Sequence, residues 1–364
     1  LNGQTMTSTG GLTLNGTGVS SNGALINSSG TGATYAGLVT LGSASSIIAG
    51  SGSITLSNTG TITGSTFGLT LGGTAGGSMA SIIGTGTGTL TKQDSGTWTL
   101  TGANTYSGTT TISAGTLQIG NGGSGGTLGA GAVVNNASLV FSRNSNTTIS
   151  NVISGSGSVL ATITGNLTLA NGSSISSSGN DIVLSATGNF VNNAGGSALA
   201  LSNGYRWIVY SNSPTGNTFG GLTSANKALW SSSYASLAPG SGGAGNRYVF
   251  ATSGGTVTVS TVAASKTYGA SAISLSSAVS YSYSGLAFSD QNTFGVYANT
   301  DASDVLSTGA AVTSAGNTSS AGAGTYGYTF SQSAVVNTGG GGGGAIGDGT
   351  PAGCTGGTGA SGVV

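Results

Sequence analysis

Charge is nearly absent from this sequence. Of 364 residues only 3% are charged, six Lys plus Arg and six Asp, with no Glu and no His; an ordinary soluble protein carries roughly 25%. The net charge is zero, so nothing draws the chain toward nucleic acid or anionic lipid, and no nucleic-acid partner is expected. Without His there is no Ser-His-Asp or Cys-His relay. One Cys and no His leave a zinc ion short of ligands. Glycoside hydrolysis needs paired carboxylates, but Asp94, Asp181, Asp290, Asp301, Asp304 and Asp348 are scattered, and the close pair Asp301/Asp304 reads as a polar turn. No phosphate loop exists, since no Lys follows a Gly. "GGAIGDG" (343–349) occurs once, with the wrong spacing for a repeated calcium site. The expectation is a non-enzyme with no cofactor and no metal.

Other shortages narrow the fold. Pro numbers 3 against 72 Gly, which excludes both collagen and a Pro-rich spacer. No run of about 18 apolar residues is present, so no helix spans a membrane. The single Cys354 forms no internal disulfide, and a secreted chain nearly free of Cys avoids cross-links before export. The chain opens at Leu1 and stops in a Gly-rich tract, so it reads as a fragment of something longer. Helix is disfavoured throughout, because Gly costs about 1 kcal/mol per interior site relative to Ala, and Thr, Ser and Asn are weak formers. The run 222–239, "LTSANKALWSSSYASLAP", is long enough without Gly to allow two or three helical turns.

What is present is alternation. Apolar residues in the first 200 positions come in pairs one residue apart: Leu12/Leu14, Ile54/Leu56, Leu69/Leu71, Trp98/Leu100, Leu117/Ile119, Leu139/Phe141, Leu167/Leu169, Ile182/Leu184 and Leu199/Leu201. Thr, Ser, Val or Gln separates most partners, as strands with one buried face require. Asn-Gly closes many units, at Asn15, Asn22, Asn121, Asn171 and Asn203, where the chain can turn a corner at little cost. Most pairs recur near every twenty residues, the mark of a solenoid. Antiparallel hairpins would instead make a sandwich. Ordinary parallel sheets need helical crossovers, which this composition cannot supply, but a β-helix pairs each strand with its equivalent one coil away. Roughly 200 residues in ~10 coils at about 4.8 Å each would form a rod about 50 Å long. In the stretch 96–122, Trp98, Leu100, Ile112, Leu117 and Ile119 then point inward, and Thr97, Thr99, Thr109, Thr111 and Gln118 outward.

These residues also carry a resemblance. "GTGTLTKQDSGTWTLTGANTYSGTTTISAGTLQIGNGG" (85–123) resembles the autotransporter-associated β-strand repeat of bacterial passenger domains. The wider run from "GLVTLGSASSIIAG" to "YRWIVYSNSPTGNTFGGL" is similar to filamentous-haemagglutinin-like adhesins, and "SKTYGASAISLS…YSYSGLAF" from Ser265 to the small MBG-type domains appended to them. The resemblance implies a right-handed β-helix, passage through an outer-membrane export pore, and an extracellular place at the bacterial surface. It names no ligand and no site residue.

Composition changes at about 204. Residues 204–250 hold Arg206, Lys227 and Arg247, half the basic residues, with Trp207 and Trp230, two of the three Trp. Aromatic rings and Arg are favoured at binding hot spots, so Arg206, Trp207, Trp230 and Arg247 are candidate contacts for a glycan or protein ligand. The competing and preferred reading is a cap on the open end of a solenoid; alternation in "YRWIVY" sets Tyr205, Trp207 and Val209 on one face. The expected organisation is an all-β chain: parallel β-helix repeats over 1–203, aromatic-rich coils or cap over 204–261, a small MBG-like β domain over 262–337 and a flexible Gly-rich tail over 338–364. Outward Thr rows suit a strand's solvent face; without a fixed period they do not make an ice-binding plane. The expected function is a secreted surface adhesin whose stalk presents binding domains to a host or surface ligand. The alternative is a subunit of an extracellular fibre or biofilm matrix, built by self-association, since little charge guards the strand edges.

Overall fold

A computed structural model describes residues 1–252 apart from 226, 242 and 243, together with the strands 256–261, 279–284, 311–314, 328–331 and 361–363. The chain from 1 to 252 winds as a parallel β-helix of about ten coils. Twelve strands build a first sheet and ten a second, running the length of the rod. A third, shorter side is formed where Thr61–Ile62 pairs with Ile82–Ile83 and where Thr147–Ile149, Leu167–Leu169 and Phe190–Asn192 stack. A typical coil runs from Ser158–Ile163 in the first sheet to Leu167–Leu169 in the third and Ser174–Ser177 in the second. Every strand pairing along the rod is parallel, and up to Trp207–Ser211 each joins one coil to the next, which satisfies the main-chain groups without any crossover helix; at the end Arg247–Phe250 inserts between Trp207–Ser211 and Ala228–Leu229.

The expected inward set is buried: Trp98, Ile112 and Leu117 are fully covered, and Leu100 and Ile119 nearly so. One continuous apolar core extends from Leu14 to Phe250. The uneven spacing of the apolar pairs has a simple origin. Ile54/Leu56 and Trp98/Leu100 belong to the first sheet, Leu69/Leu71 and Leu199/Leu201 to the second, and Leu167/Leu169 to the third. Sorted by side, the repeat is tight. Along the first sheet from Thr34 to Ile208, paired residues lie 19 to 25 apart, the limits being Thr99 with Gln118 and Val183 with Ile208; the last step, from Ile208 to Arg247, spans 39. Each coil contributes only a few aliphatics, worth about 1.5–3 kcal/mol apiece when fully buried, so the rod's stability accumulates by stacking neighbours.

Two glycines, one at a corner and one in a first-sheet strand, show how closely coils approach. A Cβ on Gly73 would lie 1.9 Å from the Ala49 carbonyl oxygen, and one on Gly77 2.2 Å from that of Ile54. Only Gly fits at either place.

Among the described residues there is no α-helix; the only helical turns are Val19–Ser21 and Pro239–Ser241. The helix allowed over 222–239 does not form. There Ala228–Leu229 pairs with Tyr248 and Val249 as the outermost strand of the first sheet, and Trp230 packs on Phe250. Sheet pairing and core burial thus outweigh a weak helical preference. The strands at 256–261 and 279–284 pair antiparallel, as do 311–314 and 328–331. Apart from its strands, the small domain expected over 262–337 lies outside the described residues, as does the tail over 338–364 apart from 361–363.

Candidate functional site

The aromatic and basic residues singled out in the sequence meet at the C-terminal end of the rod. Strand Trp207–Ser211 is stacked on Ile182–Ala186, and Arg247–Phe250 is stacked on it in turn. Alternation sends Trp207 and Val209 into the core, at 1% and 0% exposure. Tyr205 does not share their face as expected: it precedes the strand, in a turn closed by its amide on the Ser202 carbonyl, and is 41% exposed. Rings close the interior. The Tyr248 ring lies 4.9 Å from Trp207 and 4.8 Å from Phe219, both edge-on, and its hydroxyl donates to the Leu222 carbonyl at 2.9 Å. Trp230 stands 5.1 Å from Phe250.

The same strands are buried on their outer face too. Val183, Ile208, Tyr210 and Val249 form a second apolar cluster, covered by Tyr234 and Leu237 from a strap over 231–241. The Tyr210 hydroxyl donates to the Leu237 carbonyl at 3.0 Å, and the Arg206 guanidinium to that of Pro239. Arg206 also faces Asp181 across 3.6 Å. Arg247 donates to the Ala244 carbonyl at 2.6 Å. Burial drives the Tyr210 hydroxyl up to about 12, with the Arg206 charge opposing and Tyr234 assisting. All four candidates, Arg206, Trp207, Trp230 and Arg247, are therefore buried and held by their own chain. Both arginines act as tethers for the loops that wrap the rod's end.

A corner that sequence reading passed over lies in mid-rod. Lys92 is fully buried, and its ammonium donates to the carbonyls of Gln93 (2.7 Å), Asp94 (2.6 Å) and Ala114 (2.9 Å). Burial pulls its pKa down to about 8, against the opposing charge of Asp94. Asp94 in turn accepts from the Gly73 amide at 2.7 Å, and the Trp98 indole donates to Gly72 at 2.9 Å. Three successive coils meet in this corner. The signal was available: strict alternation from Leu90 places Lys92 inside. An arrangement of main-chain bonds like this holds coils together.

The outer faces are more regular than the sequence implied. Thr34, Thr55, Ser78, Thr99 and Gln118 stand in one column of the first sheet, and Thr70, Thr91 and Thr111 in one of the second. Coil lengths vary at the corners while strand register is kept, so the hydroxyl rows align in space without a fixed period in sequence. Beyond Gln118 the first column turns aliphatic, through Val140, Leu160, Val183 and Ile208, and passes beneath the strap.

Comparison with known proteins places this geometry. Residues 90–119, which contain the Lys92 corner and Trp98, match the passenger-associated-transport-repeat family. A stretch of 73 residues is 48% identical to the adhesin BmaC autotransporter of Brucella suis biovar 1 (strain 1330), covering 20% of this chain and 2% of that protein. The chain thus spans a small fraction of that relative's length. No solved structure matches the chain. The resemblance to autotransporter passengers, drawn from 85–123, is borne out over the repeat, and with it an extracellular location at the cell surface.

Proposed function

We propose that this chain is a stalk segment of a non-enzymatic bacterial surface adhesin, in which the β-helix holds binding domains away from the cell. The observation that carries the reading is the unbroken stack of coils containing a passenger repeat. An adhesin relative supports it. Coils saturated by their own hydrogen bonds transmit length and stiffness and need no ligand to fold. In this reading residues 204–250 close the rod, and the segment following 261 is presented at its end. The partners are a glycan or protein on a host or other surface, together with the pore that exports the chain.

Beads coated with the full chain should attach to cell layers, and beads carrying a variant lacking 262–337 should attach much less. Equal attachment would overturn the division into stalk and presented domain. The fibre alternative draws on the uncharged hydroxyl columns that line the rod. It predicts filaments whose length grows with protein concentration, and a monodisperse monomer across the accessible range would exclude it.

A further inference from the structure

Six Asn-Gly pairs occur in the sequence, at Asn2, Asn15, Asn22, Asn121, Asn171 and Asn203. In such a pair the glycine amide nitrogen can attack the asparagine side chain, because glycine offers no Cβ to obstruct the approach. Exposure does not separate the six, since every one of these asparagines is exposed. Hydrogen bonding does. The glycine amide following Asn2 donates to Asn27 Oδ1 at 3.0 Å, and that following Asn15 donates to Ser43 Oγ at 2.9 Å. The amides of Gly23 and Gly122 donate to the carbonyls of Thr17 (2.7 Å) and Ser142 (2.9 Å). Each of these four nitrogens must surrender a bond before it can react.

Gly172 and Gly204 differ: among the described residues their amides have no acceptor. They differ from each other as well. Asn203 is tied down, its Nδ2 donating to the Ser178 carbonyl at 2.9 Å. The Asn171 side chain makes no hydrogen bond to any described residue. The turn around it is closed by its flanks instead, with the Ser173 amide and hydroxyl both donating to the Ala170 carbonyl, at 3.0 and 2.7 Å. Gly172 takes a φ of +79° and has no atom within 4 Å of where a Cβ would stand. The corner therefore combines a free nucleophile, a free electrophile and room to move.

We infer that Asn171 is a self-modification site of the folded rod, cyclising with Gly172 to a succinimide that water opens to isoaspartate or aspartate. The Gly172 nitrogen gives up its proton and bonds to Asn171 Cγ; the Cγ–Nδ2 bond breaks and ammonia leaves. Water then adds to either ring carbonyl, and the C–N bond at that carbonyl breaks. Attack at the main-chain carbonyl leaves an isoaspartate, whose chain path is one methylene longer. Either product adds a negative charge to a region that has almost none: residues 1–203 contain only Lys92, Asp94, Arg143 and Asp181 as charged side chains. The site lies between the third and second sheets, outside every strand, so the rod can carry the change without losing a ladder bond.

The test is to hold the intact folded chain in mildly alkaline buffer at body temperature and map acid formation at each asparagine by peptide mass spectrometry, with a denatured sample alongside. In the folded chain Asn171 should convert fastest, ahead of Asn203, and at least roughly fivefold ahead of Asn22 and Asn121, whose glycine amides each hold a main-chain hydrogen bond. In denaturant the six sites should converge. Asn171→Gln should abolish the main acidic species on ion exchange. Conversion at Asn171 no faster than at Asn22 or Asn121 in the folded chain would overturn the inference, as would an undiminished acidic species in Asn171→Gln.

Discussion

The buried ammonium of Lys92 donates to the carbonyl of Ala114, 2.9 Å away and one coil further along the rod. A charge in an apolar interior is costly unless its donors are met, and here three carbonyls meet all three. At the register positions on either side stand Leu71 and Ile112, so Lys92 interrupts an aliphatic column. It fastens a corner where the coils leave carbonyls that no strand partner reaches.

Lys92→Met should therefore weaken the rod even though it removes a buried charge, because three carbonyls lose their donor. An unmet buried polar group costs about 1–3 kcal/mol, and the loss should fall in the region of 2–4 kcal/mol after relaxation. Chemical denaturation followed by Trp fluorescence reads this directly. A variant as stable as the native chain would show that the carbonyls find other partners.

The same lysine sets a pH dependence. Its native pKa of about 8 lies below the ordinary 10.5, so between these values the unfolded chain binds more protons than the folded one. Stability should then rise as pH climbs above about 8, and that contribution is lost as pH falls through 8. Tyr210 acts oppositely: raised from 10.0 to about 12, it favours the folded state below 10 and loses that contribution as pH rises toward 12. The clear window for Lys92 thus ends near pH 10. A gain in unfolding midpoint between pH 8 and 10 should appear in the native chain and vanish in Lys92→Met; persistence in the variant would assign it elsewhere.

Trp98→Asp should be severely destabilising and Thr99→Asp mild. Trp98 is fully buried and its indole satisfies the Gly72 carbonyl, while Thr99 faces outward beside Ser78 and Gln118. Emptying a large aromatic site alone costs about 3–5 kcal/mol. Equal shifts in unfolding midpoint for the two variants would contradict the inward and outward assignment.

Much of this was legible in the sequence, and the exceptions share a cause. Period-two alternation placed Trp98, Leu100, Leu117 and Ile119 correctly, because one strand's facing needs no knowledge of its neighbours. Which side of the rod each pair occupies was not legible. Leu69/Leu71 and Ile54/Leu56 look alike, and only the intervening corner decides that one lies in the second sheet and the other in the first. In "LTKQD" alternation sets Lys92 inward although its charge suits solvent, so the two local signals disagree. The strap over 231–241 was hidden for a third reason. Tyr234 and Leu237 cover the outside of Ile208 and Val183, a long-range contact that no local pattern announces.

Tyr210→Phe removes the hydroxyl that holds the Leu237 carbonyl, and Arg206→Ala the tether at Pro239. Each should loosen the strap by about 1 kcal/mol while leaving the coils before 182 intact. Limited proteolysis should cut within 231–241 faster in both variants, with an unchanged pattern in the mid-rod. Uniform acceleration along the whole chain would mean that the strap is part of the rod's cooperative unit.

The most direct test of the parallel rod is a set of distances between outward residues. Thr55, Ser78, Thr99, Gln118, Val140 and Leu160 occupy consecutive coils of one column. With Cys354 replaced by Ser, spin labels at Thr55 and in turn at Gln118, Val140 and Leu160 should lie about 14, 19 and 24 Å apart, given roughly 4.8 Å per coil. A constant step between successive pairs, measured by double electron–electron resonance, is the predicted result. Distances that fail to increase in order, as in an antiparallel sandwich of the same strands, would contradict the fold on which the stalk rests.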